Sequence, residues 1–394
     1  MGVIFCHDHR FFVDDKGRIY SYGQFDRAIL KRYVDVFGKV TIAARGVAIS
    51  PTDDISRFSL CSSDDIDFLW LPNLSSLRGL TIDRPAARNK LANAISKADA
   101  VIARLPSEIG LLALSIARQQ QKPNAAEVVA CIWDGLSSHG SLVSKLYAPI
   151  AFLRMRHAVA RTKHVLYVTQ HFLQSRYPSY GIQTVVSNVE IPTPDRAILQ
   201  NRLHHISNAQ RHTVFGMIAA LFHKEKGIDI AVEAFSMARK ENPDISLRIL
   251  GPGDPADWRD TVKRFGVEDC VEFCGSLPRG SAVLEWIDGI DVYVQASFQE
   301  GLPRALIEAM SRACPALASS AGGTAELVKS ECLHRPGDIV TLSRQMIAAT
   351  NTPWRETMAQ ANFEKSKTYA SDILNTRRAA FWTSFANGDF PGTR

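Results

Sequence analysis

No run of apolar residues in this 394-residue chain approaches the roughly 18 that a membrane-spanning helix needs, so a transmembrane segment is not expected. The opening MGVIFCHDHRFF has no basic start, and His7, Asp8 and His9 break its apolar stretch, so no secretory signal is expected there. The seven cysteines are scattered, and only Cys270 and Cys274 come near each other. That leaves no paired spacing for zinc and points to reduced thiols in a cytosol. There is no internal repeat and no low-complexity tract. Acid is missing from one long stretch: between Asp134 and Glu190 there is none, while Lys145, Arg154, Arg156, Arg161, Lys163 and Arg176 are all present. The net charge of +6 therefore belongs to the first half, with 24 Lys and Arg against 17 Asp and Glu in residues 1–200. A segment such as SKLYAPIAFLRMRHAVARTK suits an anionic membrane surface or a phosphorylated substrate, and equally an ordinary surface helix with a solvated basic face. A nucleic-acid partner is not expected.

What is present reads as a soluble enzyme, with 46% hydrophobic and 22% charged residues. The length exceeds what one hydrophobic core usually supports. In the first half, short apolar runs (GVIFC, KVTIAAR, DFLWLP, ADAVIARL, EVVACIW, HVLYVT) alternate with amphipathic stretches, the pattern of a parallel sheet covered on both faces. Pro192 and Pro194 interrupt it, and a second alternating series starts at TVFGMIAAL. The expected fold class is α/β, with two doubly wound domains facing a cleft: residues 1–195, residues 210–365, and a helical segment 366–394 packing back toward the first domain. A ligand belongs between the carboxyl ends of the strands.

The most informative stretch is SFQEGLPRALIEAM, which places Glu300 and Glu308 on either side of a Gly-Leu-Pro turn. DVYVQAS before it reads as a buried strand, and Pro303 suits the first position of the helix that follows. Glu300 then lies on the loop at the strand's end and Glu308 within the helix, on a face shared with Arg304. The free N–H groups at Gly301 to Arg304 accommodate a phosphate, and carboxylates nearby accept hydrogen bonds from sugar hydroxyls. Taken alone, the pair reads better as a turn residue and a solvated helix residue.

Its company decides between these. SFQEGLPRALIEAMSRACPALASSAGGTAELV, with KGIDIAVEAF, LRILGPGD and VEFCGSLP upstream, resembles the retaining glycosyltransferases of family 4, which have the GT-B fold. The resemblance covers most of the second domain. It implies a nucleotide-sugar donor, no obligatory metal or other cofactor, and a glycan or lipid-linked acceptor. Glu308 would accept the ribose hydroxyls. Glu300, with the N–H groups of Gly301 and Leu302 beside Pro303, would face the donor sugar and its phosphates. Lys226 would stabilise the leaving diphosphate, and Gly251 and Gly275 to Leu277 would lie near the base. The family usually has Gly-Arg at the end of this domain's first strand, where this chain has Gly216-Met217. The first domain is similar to bacterial polysaccharide members through IARLPSEIGLLALSIARQQQKP, VLYVTQHFLQSRYP and VVSNVE, where Asn188 fits the pattern. After EVVACIW, where many relatives have a histidine on the donor sugar, Asp134 is the first candidate near the reacting centre and His139 the second. The loop expected after GVIFC makes Asp8, Arg18, Tyr22 and Gly23 candidate acceptor contacts. A cytoplasmic protein attached peripherally at the inner membrane through residues 141–163 follows from the same reading.

Rival readings are thinner. GPGDPA from Gly251 has dinucleotide-fingerprint spacing, with Glu272 about twenty residues on. It follows the second strand of its domain, whereas the fingerprint of an NAD-dependent oxidoreductase belongs to the first. Asp65-Ile-Asp67 offers an isolated DxD, and His7 with His9 lacks a third metal partner. A catalytically silent GT-B protein that binds a glycan rests on Met217 alone.

Overall fold

The computed structural model describes residues 1–388 except 23–24, 51–57, 77, 139–141, 209–211 and 279; the side chain of residue 138 is also not described. Among the described residues the chain forms two sheets. The first contains β1 (Gly2–Val13), β2 (Ile19–Ser21), β3 (Lys39–Ala48), β4 (Ser59–Leu60), β5 (Ile66–Trp70), β6 (Ala100–Leu105), β7 (Asn124–Val128), β8 (His164–Tyr167) and β9 (Ile182–Val185). Its parallel part runs β5-β3-β1-β6-β7-β8-β9, and β2 and β4 add an antiparallel extension beyond the far end of β1. The second contains β10 (Thr213–Ile218), β11 (Ile245–Leu250), β12 (Val271–Phe273), β13 (Val292–Gln295), β14 (Ala316–Ser319) and β15 (Leu333–His334), in the all-parallel order β12-β11-β10-β13-β14-β15. In both sheets the first strand sits centrally and the order reverses beside it, between β1 and β6 and between β10 and β13. These are the positions where a doubly wound sheet opens a crevice at its carboxyl edge.

Helices cover the sheets: α1 (Arg27–Phe37), α2 (Arg84–Lys97), α3 (Glu108–Gln119), α4 (Ile132–Ser138), α5 (Leu142–Ala160) and α6 (Phe172–Arg176) on the first, α7 (Arg196–Asn208) leading to the second, then α8 (Ile228–Glu241), α9 (Ala256–Phe265), α10 (Ser281–Asp288), α11 (Arg304–Ser311), α12 (Ile339–Ala348), α13 (Thr352–Ser366) and α14 (Ser371–Ala386). The near-continuous apolar strands are buried, as Ala100–Leu105 is throughout. Helices cover both faces of such strands, so a run of this kind needs no alternating polar face.

Several local expectations change. HDHRFF is not a loop: β1 continues through it to Val13, with an irregular register between Cys6 and Arg10. The apolar run EVVACIW ends as a strand at Val128, and Ile132 opens α4, so Asp134 sits in a helical first turn. Pro303 caps α11 rather than occupying its first turn. Part of the expected linker folds as α7, whose buried Arg202 donates to the carbonyls of Ile287, Ile290 and Arg312 and so ties this helix to the second domain. The chain crosses between domains at two adjoining places, where Ile191 pairs with Ala370. After the second crossing, α14 returns Phe381, Trp382 and Phe385 to the first core beside Tyr33 and Phe37.

Candidate functional site

The end of β13 builds the site. Lys226 Nζ donates to Glu300 Oε1 at 2.7 Å, and Gln295 Nε2 donates to the same oxygen at 2.9 Å. Gln295 accepts from the Tyr293 hydroxyl at 2.9 Å and donates to Ser297 Oγ at 2.6 Å, a buried relay that fixes the orientation of Glu300. Burial pushes the Tyr293 hydroxyl well above its ordinary pKa, and the charges of Glu300 and Glu308 push in the same direction.

Glycines let these groups meet. Gly227 has φ +69°, and a Cβ there would stand 2.2 Å from the Ala296 carbonyl oxygen, so only glycine lets the Lys226 turn close on the end of β13. Gly322 has φ +59°, and a Cβ would stand 1.9 Å from the Glu300 carbonyl oxygen. The Gly322-Gly323 turn thus backs the Glu300 loop, and Gly323 N donates to the Gly301 carbonyl at 2.8 Å.

A cleft of about 340 Å³ opens at the carboxyl ends of β10, β11 and β13, lined by Lys226, Gly251, Leu277, Gln295, Glu300, Pro303, Arg304 and Glu308 among others. Gly275 supports it from behind, accepting from Gly251 N at 2.7 Å. Gly301 and Leu302 face the other way, into a cavity of about 460 Å³ between the domains, which Asn188 also lines. Arg304 lines both, at the junction of the second-domain cleft and the interdomain cavity.

The residues placed in the first domain do not join this cluster. Asp8 is turned to the start of α3, where its Oδ2 accepts from Glu108 N at 2.5 Å, and burial raises its pKa. Asp134 accepts from Arg176 Nη1 at 2.8 Å, although the neighbouring Gly135 lies close to Gln299 of the Glu300 loop. Arg18 is paired with Asp14 at 2.7 Å, and Tyr22 is exposed beside Phe58. Gly23 and His139 lie outside the described residues. His7 and His9 engage the Arg104 carbonyl and Ser21 Oγ, and among the described residues no group of three His, Cys, Asp or Glu gathers as metal ligands.

Gly216 and Met217 lie next to the last residue of their strand but in the core, away from the cleft. Both lie inside β10: Met217 is fully buried in the core, and a Cβ on Gly216 would meet Ile290 at 2.4 Å. The strand ends at Ile218, which reaches the cleft, and the next five residues, Ala219 to His223, contain no arginine or lysine. Sequence reading therefore looked for a missing cation at a core position, named Arg304 for its backbone and helix face but not as that cation, and overlooked Gln295. The helical spacing of Arg304 and Glu308 and the shared strand face of Tyr293 and Gln295 were the available signals. In the rival dinucleotide reading, Glu272 is held by Arg248 at 2.8 Å on β12 and does not line the cleft.

Two Rossmann-like domains facing one another across a cleft define the GT-B class of glycosyltransferase folds. The solved structure of HepE from Anabaena in complex with UDP and glucose shares the fold, with TM-score 0.60 and 16% identity over 97% of this chain and 99% of that one. Residues 212–351 match the family model for glycosyl transferases group 1. Over 347 residues the chain is 30% identical to Protein CapJ of Staphylococcus aureus, covering 87% of this chain and 85% of that protein. It is also 28% identical over 113 residues to the amylovoran biosynthesis glycosyltransferase AmsK of Erwinia amylovora, 27% of this chain and 28% of that one. The chain belongs to the glycosyl transferases group 1 family.

Proposed function

We propose that this protein transfers a hexosyl group, with retention of configuration, from a nucleotide-sugar donor of the UDP or GDP type to a glycan or lipid-linked acceptor in cell-surface polysaccharide biosynthesis. The observation that carries the reading is the second-domain cleft, where Lys226 and Arg304 bring positive charge to the start of α11 and Glu300 and Glu308 present acceptors for hydroxyls. HepE's complex with UDP and glucose and AmsK's part in amylovoran biosynthesis support the donor and pathway class.

In this scheme Glu308 holds the ribose, and Lys226 and Arg304 hold the diphosphate, with Gly301 and Leu302 on the interdomain side of the same loop. The acceptor enters from the interdomain cavity on the Asn188 side. Its hydroxyl oxygen bonds to the sugar's anomeric carbon on the face from which the nucleoside diphosphate leaves. The anomeric C–O bond to phosphate breaks, and the hydroxyl proton passes to the departing phosphate oxygen. Cations fixed in advance at the leaving group lower the barrier without a protein nucleophile. Glu300, already bonded to Lys226 and Gln295, orients the donor sugar. Nucleotide sugars are cytoplasmic, which places the reaction there.

The test is to screen nucleotide sugars for turnover and follow the first product by proton NMR. The expected product keeps the donor's anomeric configuration; an inverted product would overturn the retaining mechanism.

A further inference from the structure

The interdomain cavity is lined by four arginines, Arg32, Arg104, Arg304 and Arg378, and by two acids, Asp26 and Glu127. The arginines reach it from α1, β6, α11 and α14, so the fold and not one element makes the cluster. The carboxylates there are already engaged. Glu127 accepts from the Tyr33 hydroxyl at 2.6 Å on one oxygen and from Arg104 Nη1 at 2.9 Å on the other. Asp26 Oδ1 accepts from Ile29 N at 2.8 Å and so caps α1. Glu190 divides its two oxygens between Arg32 Nη2 and Arg378 Nη1.

The guanidinium groups, by contrast, have donors to spare. Arg378 adds bonds to Asn375 Oδ1 at 2.8 Å and to the Ser187 carbonyl at 2.9 Å, which fix it in place. Among the described residues the Arg32 and Arg104 side chains each make a single hydrogen bond, out of the five N–H groups that a guanidinium carries. The Phe25 ring lies 5.1 Å from the Arg104 guanidinium and steadies it. Burial, and next the charge of Arg32, lower Arg378 below the ordinary arginine pKa, as expected where two guanidinium groups share one carboxylate. A cavity with surplus donors and engaged carboxylates favours an anion, and a guanidinium fork matches two oxygens of a carboxylate or phosphate. A neutral sugar hydroxyl asks for an acceptor as well as a donor.

We propose that this cavity reads an anionic group, a carboxylate or a phosphate, on the acceptor sugar. Arg32 and Arg104 hold the group, and Arg378 positions Arg32 through their shared Glu190. Arg304, at the junction with the second-domain cleft, is left to the diphosphate. The inference rests on reading the cavity as the acceptor side of the transfer reaction, and it names the acceptor's chemistry.

The test is isothermal titration of the full chain with methyl α-glucuronide, glucose 6-phosphate and methyl α-glucoside. At least one charged probe is expected to bind about tenfold or more tighter than the neutral one; the glucuronide leading assigns the group as a carboxylate, the phosphate leading as a phosphate. Arg32→Gln should lower the affinity for the charged probe by about tenfold or more. Arg32→Lys, which keeps the charge beside Glu190, should lower it by a smaller factor because an ammonium cannot form the fork. Lys226→Ala, which removes a cation from the second-domain cleft, should still bind the charged probe. Equal binding of charged and neutral probes, or binding of none, overturns the proposal. So does a charged-probe affinity that Arg32→Gln and Arg32→Lys leave unchanged, or one lost in Lys226→Ala, which would put the anion in the other cleft. No nucleotide sugar enters these titrations, so they decide the proposal whether or not transfer is found. Transfer to neutral acceptors by a chain that binds all three probes alike would keep the transferase reading and remove this one.

Discussion

Arg304 and Lys226 meet the second-domain cleft from different elements, one from the first turn of α11 and the other from the turn before α8. If both stabilise the leaving diphosphate, Lys226→Ala and Arg304→Ala should each reduce kcat by about 10²–10³-fold, the usual cost of losing one preorganised donor at developing charge. A change confined to KM in either variant would assign that residue to ground-state binding instead. Two other residues shape acid stability. Burial, together with Arg104 and other nearby cations, lowers His7 to about 3 and His9 to about 4, so both rings are neutral in the folded chain at pH 7. The unfolded chain protonates first, as pH falls below about 6.5. Stability is therefore full above that value and declines as pH drops toward the folded values, by at most about 1.4 kcal/mol per pH unit for each ring. Urea unfolding across this range should show the slope, and His9→Gln should remove part of it; an unchanged slope would contradict the assignment.

Among the elements, the most legible was α11 with its preceding turn, because the strand, the Gly-Leu-Pro turn and the helix follow one another between Val292 and Ser311 and each step has a local cause. The length of β10 was not legible. Gly216 is a packing requirement set by Ile290 and Trp286, which are distant in sequence, and nothing local separates such a glycine from one that ends a strand. HDHRFF looked like a loop because its polar residues break the apolar run, yet they are paired across to β3, β6 and the start of α3. Contacts between domains were equally invisible. Glu326, from the turn after β14, accepts the N–H groups of Gln170, His171 and Phe172 at 2.5, 2.9 and 2.6 Å, so a second-domain carboxylate satisfies the start of first-domain α6. Glu326→Ala should loosen the domain pair, at a cost of about 1–3 kcal/mol for the exposed donors. Small-angle scattering should show a larger radius of gyration than for the unaltered chain, and superimposable curves would deny Glu326 a role in holding the domains together.

For the molecule as a whole, the alternation of strands and helices conveys two doubly wound units, since that pattern is a property of each half. It does not convey where the halves touch. Asp134 and Asp8 entered as cleft candidates through the family resemblance, which implies a sugar contact after EVVACIW and an acceptor loop after GVIFC, but ion pairing in one case and a helix start in the other claim their carboxylates. The second-domain residues Lys226, Glu300 and Glu308 gather at one cleft because the first two follow the neighbouring strands β10 and β13 and the third lies on α11, which starts at the end of β13's loop. The central claim is that this cleft holds a nucleotide sugar. Isothermal titration of the full chain with UDP, GDP, their sugar conjugates and NAD tests it most directly, with Glu308→Ala in parallel. Saturable binding of one nucleotide family, weakened about 10–100-fold in Glu308→Ala as expected for losing a charged hydrogen bond, is the predicted result. Binding of NAD alone, or of no nucleotide, would contradict it.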